Sequence, residues 1–315
     1  MTHKHKTTSI GIDVAKAHLD AYCMTDQSAM RFINDATGIT KLIKWALNKG
    51  KQPLIVLEPS GGYERDLERA VQSRNDMLLA KVNAKYIRDF ARAKGRLAKT
   101  DAIDAQIIAE YGLIMSPRVS IDISQEQRDL KDIVIRRRQI VKMHAEENNR
   151  LEKAKSSLAV ESIQAMITMF KQEIKALDNA IRALIKSCDT LHQAYKMLQD
   201  MCGVGPITAY SLLADLPELG RIGNKSISSL IGVAPHNIDS GTMRGQRCIQ
   251  GGRTHVRDAL YLATLTATRY DGVIRDFYLS LIARGKKPKV ALIACIRKMI
   301  IILNARMRDF YQIAG

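Results

Sequence analysis

Apolar positions recur at every second residue through the first part of this chain and at every third or fourth through most of the remainder. In SIGIDV, residues 9–14, the alternation sets Ile10, Ile12 and Val14 on one face and Gly11 and Asp13 on the other. A strand is predicted there, with Asp13 directed away from the packed side. A second β-rich run covers 18–24 after a short turn, and a third lies near 30–33. A helix around 39–48, an apolar strand at 54–57 ending at Glu58, a helix over 63–74 and a strand over 77–82 come next, with helices onward to about residue 112. Three antiparallel strands and then strand–helix units predict a mixed sheet covered by helices.

The segment 124–188 contains neither proline nor glycine and reads as long helices. Ile163, Ile167, Phe170, Ile174, Leu177, Ile181, Leu184 and Cys188 alternate four-three, the spacing of a coiled-coil seam. The helix before it is less regular: Leu130, Ile133, Ile140, Leu151 and Leu158 fall on the seam, while Arg137, His144 and Glu147 interrupt it. Two helices broken near 155–157 are expected, their seam joining two chains into a dimer or tetramer or, alternatively, closing a hairpin within one chain. From about 193 the chain becomes a compact helical domain. Its opening, LQDMCGVGPITAYSLLADL, resembles a helix-hairpin-helix: an apolar helix, a Gly203-Val204-Gly205 turn, and a helix opened by Pro206. Gly203 and Gly205 let backbone amides approach a phosphate, and the helix N-terminus adds a favourable dipole. The fold class expected is α/β plus α: an RNase H-like (RuvC-like) domain over 1–120, coiled-coil helices over 121–192 and a helical domain over 193–315.

Charge narrows the partner. The chain has 315 residues, 46% of them hydrophobic, with net charge +17 and a pI near 9.7. Such a field draws a polyanion, and DNA or RNA fits best. A membrane fits poorly: the apolar stretch 290–302 is interrupted by Arg297-Lys298 and falls short of a span. The start, MTHKHKTT, lacks the apolar core of a secretory signal, and five scattered cysteines without CxxC spacing argue against disulfides and zinc. A reduced, cytoplasmic protein is expected.

Four acidic residues stand where phosphoryl-transfer chemistry needs them. A carboxylate at the end of an apolar strand requires neutralisation, because burying an unpaired charge is costly. Asp13 and Glu58 both end such strands, and Asp101 and Asp104, three apart in a helical stretch, share one face. Hard oxygens from two strands and a helix suit a pair of Mg²⁺ ions that stabilise the attacking and leaving oxygens of an in-line displacement. Each acid also has a structural use: Asp101 and Asp104 favour a helix dipole after Thr100, and Glu58 can open a solvated loop. A basic stripe, Lys85, Arg88, Arg92, Arg96 and Lys99, lines one helical face toward Asp101 if the helix continues, and a phosphate backbone can lie there.

After Ala234-Pro235 a polar, glycine-rich loop carries Ser240 before Gly241, followed by Arg244, Arg247, Arg253 and Arg257. A serine hydroxyl can attack phosphorus where guanidinium groups hold the phosphate, leaving a covalently attached strand. His255-Val256-Arg257 lacks the HxxR spacing of tyrosine recombinases. GIDVAK, LEPSGGYE, KTDAIDA, the GVGP turn and SGTMRGQRxIxGGRxxVRxALY, in this order across nearly the whole chain, resemble the DEDD transposases of the insertion sequence one-ten family. That resemblance implies that Asp13, Glu58, Asp101 and Asp104 are the metal-binding set of a RuvC-like domain, that Ser240 is the nucleophile, and that a structured bridge RNA pairs with target and donor DNA. The activity expected is a recombinase cutting and rejoining DNA through a serine-phosphate intermediate. The alternatives are a hydrolytic RuvC-like nuclease or junction resolvase, and a non-catalytic nucleic-acid binder that leaves the four acids unexplained.

Overall fold

The computed structural model describes residues 8–95, 101–236, 239, 240, 243, 244 and 248–314, with the backbone alone at 101–103, 236, 239, 240, 243, 244, 313 and 314. They form two compact units, Met1–Asp122 and Ile123–Gly315.

The first unit is built on β1 (Ser9–Val14), β2 (His18–Cys23), β3 (Ala29–Ile33), β4 (Leu54–Leu57) and β5 (Leu78–Lys81). They form one mixed sheet in the order β3-β2-β1-β4-β5, the first three antiparallel and β1, β4 and β5 parallel. Helices α1 (Ala36–Leu47), α2 (Arg65–Gln72), α3 (Ala84–Ala93) and α4 (Asp101–Met115) cover it. Ile10, Ile12, Ile55 and Leu57 pack with Ile39 and Leu42 of α1 and with Leu67 and Val71 of α2. Leu54, Val56 and Ala80 point the other way, onto Ile87 of α3 and Ile107 and Ile108 of α4. Parallel strands buried on both faces explain why LIVL reads as an unbroken apolar run. Side-chain caps start two of these helices: Asp35 accepts from the Gly38 amide at 2.7 Å and Asn83 from the Lys85 amide at 2.8 Å.

Two expectations need correction here. The face of β1 that carries Gly11 and Asp13 is also packed, because α4 lies directly on it; the missing Cβ of Gly11 is what admits the helix. The helix of the basic stripe ends at Ala93, with Lys94 as its cap and Gly95 in the left-handed region at φ +69°. Lys85, Arg88 and Arg92 therefore share α3, whereas Arg96 and Lys99 lie outside the described residues.

The second unit begins with α5 (Gln125–Leu151), capped by Ser124, and α6 (Ser157–Ser187). The two long helices lie against each other. Ile167, Phe170 and Ile181 on the seam are buried, and the other five seam residues are half-buried. Arg137, which breaks the pattern, donates to both carboxylate oxygens of Asp178 on α6, at 2.6 and 3.2 Å. α7 (Asp189–Gln199), α8 (Pro206–Asp215), α9 (Asn224–Leu230), α10 (Thr254–Tyr270), α11 (Gly272–Ala283) and α12 (Pro288–Ala314) complete the helices. Leu130, Val134, Ile181 and Ile185 share one apolar cluster with Leu212, Leu260, Ile296 and Leu303, so segments 121–192 and 193–315 have a common core. None of the described helices is long and apolar enough to cross a membrane, and Cys23, Cys188, Cys202, Cys248 and Cys295 are free thiols.

Candidate active site and nucleic-acid contacts

The acidic set is organised by strand register. Ile12 on β1 pairs with Leu57 on the parallel strand β4, and the next residues along each are Asp13 and Glu58. Two carboxylates thus leave the same end of the sheet on strands about 4.8 Å apart. Helix α4 supplies the other two. Its Gly112 sits over Ser9, whose hydroxyl donates to the Ala109 carbonyl at 2.7 Å, and a Cβ on Gly11 would stand 2.2 Å from both Ala105 O and Ala109 N. The helix therefore runs antiparallel to β1. Two further strand residues, about 6.6 Å, correspond to just over one helical turn, which brings the 101–104 turn beside Asp13.

Asp13, Glu58 and Asp104 are each half-buried, and Asp101 is placed by its backbone alone. Asp13, Glu58 and Asp104 are hard-oxygen donors of the kind that a divalent cation such as Mg²⁺ takes. Among the described residues, no three His, Cys, Asp or Glu side chains close around a point that could hold a metal ion. Asp20, opposite Asp13 across β1 and β2, is a fifth carboxylate that sequence reasoning missed. Its charge is compensated by Arg31, which donates to both of its oxygens at 2.7 and 2.9 Å.

Beyond Glu58 the chain turns through Pro59, Ser60, Gly61 and Gly62, the glycines at φ +75° and +110°. Glu64 fastens this turn. Its Oε2 accepts from the Ser60 amide at 3.1 Å, the Ser60 hydroxyl at 3.3 Å and the Gly62 amide at 2.9 Å. Burial pushes its carboxyl up, but its own amide, those of Ser60 and Gly62, and the Lys81 ammonium outweigh this and hold the pKa below the ordinary value.

In the second unit, Ser240 lies on a short hairpin that the sequence suggested as loop. β6 (Pro235–His236) pairs with β9 (Cys248–Ile249), and within them β7 (Asp239–Ser240) pairs with β8 (Met243–Arg244). Ser240 faces Met243 across the ladder and Arg244 faces Asp239; Arg247 lies outside the described residues.

Comparison with known proteins joins the two halves. A transposase profile of the DEDD type, named for the IS110 elements, matches residues 10–158, and a profile described as "Transposase IS116/IS110/IS902 family" matches residues 195–279. The chain belongs to this transposase family. Curated relatives include two described as "Pilin gene-inverting protein", from Moraxella lacunata and Moraxella bovis, each 27% identical over 312 residues and 96% of both chains.

The transposase is thus a DNA-recombining enzyme of the IS110 type, its first matched segment spanning all four carboxylates and its second spanning the glycine turn and Ser240. Within that second segment the arginines differ in their surroundings. Arg253 donates to both carboxylate oxygens of Glu218, at 2.6 and 2.7 Å, and to the Asp215 carbonyl at 2.7 Å. Arg257 donates to the carbonyls of Gly232 and Gly251, at 3.1 and 2.9 Å. Both guanidiniums bind the protein itself, and that of Arg257 ties together the two ends of the serine hairpin. Asp215, only 6% exposed, also accepts from Arg138 at 2.7 Å and has His255 Nε2 3.4 Å away. Burial pushes the Asp215 carboxyl up, but His255 and Arg138 prevail and its pKa is lowered; Glu218 is lowered against burial by Arg253.

The two glycines of the predicted phosphate turn of the transposase also differ. A Cβ on Gly203 would stand 2.2 Å from the Ala263 carbonyl, so this glycine permits α10 to pack. Nothing lies within 4 Å of a Cβ on Gly205, which caps α8 ahead of Pro206 and is open to solvent. On α3, Lys85, Arg88 and Arg92 are exposed while Ile87, Phe90 and Ala91 face the core.

Proposed function

We propose that this transposase cuts and rejoins DNA through a serine-phosphate intermediate formed at Ser240, with Mg²⁺ held by Asp13, Glu58, Asp101 and Asp104. The observation that carries the acidic half is the shared level of Asp13 and Glu58 on adjacent parallel strands, with the start of α4 beside them. Cations held by these carboxylates would lower the cost of charge developing on the attacking and leaving oxygens. The chain's own residues do the rest. The Ser240 hydroxyl oxygen attacks phosphorus, the strand's P–O bond breaks, and a free hydroxyl leaves on the other DNA end. Attack of a new DNA hydroxyl on the phosphoserine reverses the step and restores the serine, so phosphodiester bonds are conserved. Arg244 and Arg247 are the arginines of the loop assigned to the phosphate, since Arg253 is engaged with Glu218 and Arg257 with backbone carbonyls.

Selection of DNA falls to an RNA in this reading. Net charge +17, the exposed cations of α3 and the exposed Gly205 at the start of α8 suit backbone contacts, which fix position without reading bases. The α7–α8 segment acts as a helix-hairpin-helix grip on phosphate, and a structured guide RNA supplies sequence by pairing with donor and target. Two or more chains assemble around the DNA in the cytoplasm. The relatives described as gene-inverting proteins support site-specific inversion of a DNA segment as a reaction of the same chemistry. The test is to recover RNA with the protein from native cells and to alter its pairing segments. Recombination that moves to the newly complementary site supports the guide; unchanged sites with RNA-free protein oppose it. Hydrolysed ends with no protein attached point instead to a metal-dependent nuclease.

A further inference from the structure

Two side chains outside the acidic set fix the backbone segments that carry Asp13 and Glu58. Asn34, just beyond β3, spreads one amide group over both. Its Nδ2 donates to the Ala15 carbonyl, two residues past Asp13, at 2.9 Å and to the Tyr63 carbonyl, at the far end of the Glu58 turn, at 3.0 Å. Glu64 then holds the turn from within, through three hydrogen bonds to Ser60 and Gly62. The parallel ladder ends at the Ile12–Leu57 pair, so it does not reach the turn beyond Glu58. Gly61 and Gly62 in left-handed conformations give the turn no stiffness of its own. At 7% exposure, Glu64 is too enclosed to serve as a solvated surface acid.

We infer that Asn34 and Glu64 are positioning residues that set the separation of the Asp13 and Glu58 carboxylates. The inference rests on the reading that these carboxylates hold Mg²⁺. Residues that orient metal ligands from behind change metal affinity without touching the ion, by about 10–100-fold in characterised sites. Asn34 has one spatial role that its sequence position does not advertise, and Glu64 looks from sequence like an ordinary helix-opening acid.

Isothermal titration of the full chain with Mg²⁺ alone tests the inference, with circular dichroism to check folding. Glu58→Gln is the control and is expected to lose binding. Asn34→Ala and Glu64→Ala are expected to bind about 10–100-fold more weakly than wild type. Glu64→Gln keeps an acceptor oxygen for the Ser60 and Gly62 amides and is expected to stay close to wild type. Wild-type affinity in Asn34→Ala and Glu64→Ala, with binding lost in Glu58→Gln, overturns the positioning role while leaving the metal site standing. A loss in Glu64→Gln as large as in Glu58→Gln makes Glu64 a ligand and overturns it in the other direction. Wild-type affinity in Glu58→Gln removes the metal reading itself. If Glu64→Ala does not fold, Asn34→Ala and Glu64→Gln decide the matter.

Discussion

A Cβ on Gly11 would stand 2.2 Å from the Ala105 carbonyl oxygen, so the absence of a side chain at residue 11 is what seats α4 against the sheet. Gly11→Ala must push the helix away, because the obstructing atoms are backbone and cannot rotate aside. The expected loss of stability is about 3 kcal/mol, at the upper end for overpacking. Cleavage should fall further than stability alone explains, since Asp101 and Asp104 ride on the same helix. Denaturant unfolding and strand-cleavage assays at a temperature where the variant remains folded separate the two effects. Full activity in a folded Gly11→Ala protein contradicts the placement.

Asp13→Asn and Asp104→Asn each keep side-chain size but remove the charge that attracts a hard cation. Strand cleavage should be abolished while DNA binding, measured by fluorescence anisotropy, remains close to wild type. Near-normal cleavage in either variant removes it from the catalytic set.

Arg253 and its partners give the second unit an acid sensitivity. Glu218 and Asp215 have lowered pKa values in the fold, so they release protons more readily folded than unfolded. Their contribution is fully present above the ordinary carboxylate values of 4.5 and 3.8 and is lost as pH falls through the lower folded values. Arg253→Ala strands the Glu218 carboxylate and is expected to cost about 3 kcal/mol. Thermal melts from pH 7 to pH 3 should show wild type losing stability below about pH 4.5, and Arg253→Ala losing less over that window. Parallel pH curves for the two proteins contradict the pair's role.

On α3, replacing Arg88 and Arg92 by Gln should weaken nucleic-acid binding with little change in site choice. The slope of log affinity against log salt should fall by about 0.9 for each duplex phosphate no longer neutralised, or about 0.7 on single strands. An unchanged slope means that this face stays in solvent.

The sheet was legible because its strands are apolar runs bounded by turns, and the carboxylates because Asp13 and Glu58 end such runs. The features that the sequence concealed are pairings between distant residues. Arg137 reads as a flaw in a coiled-coil seam until Asp178, 41 residues on, is found opposite it. The seam itself has the same four-three spacing whether its partner is α5 or another chain, so periodicity alone does not choose between them. Arg253 and Arg257 read as phosphate ligands because a charge says nothing about its partner, and their partners are Glu218 and backbone carbonyls. The hairpin around Ser240 consists of two-residue strands, too short to impose any alternation. Glu64 did leave a signal, an acid directly after S-G-G-Y, but its use depends on the turn's conformation rather than on its composition.

The most direct test of the central claim is a search for protein covalently attached to DNA. Wild-type protein incubated with Mg²⁺, its RNA and labelled donor DNA should give an adduct that survives denaturation, and mass spectrometry of the digested adduct should find the phosphate on Ser240. Ser240→Ala should give neither adduct nor recombinant product while still binding DNA. Recombinant product formed at wild-type rate by Ser240→Ala, or cleavage yielding only hydrolysed ends with no attached protein, contradicts the serine-phosphate account.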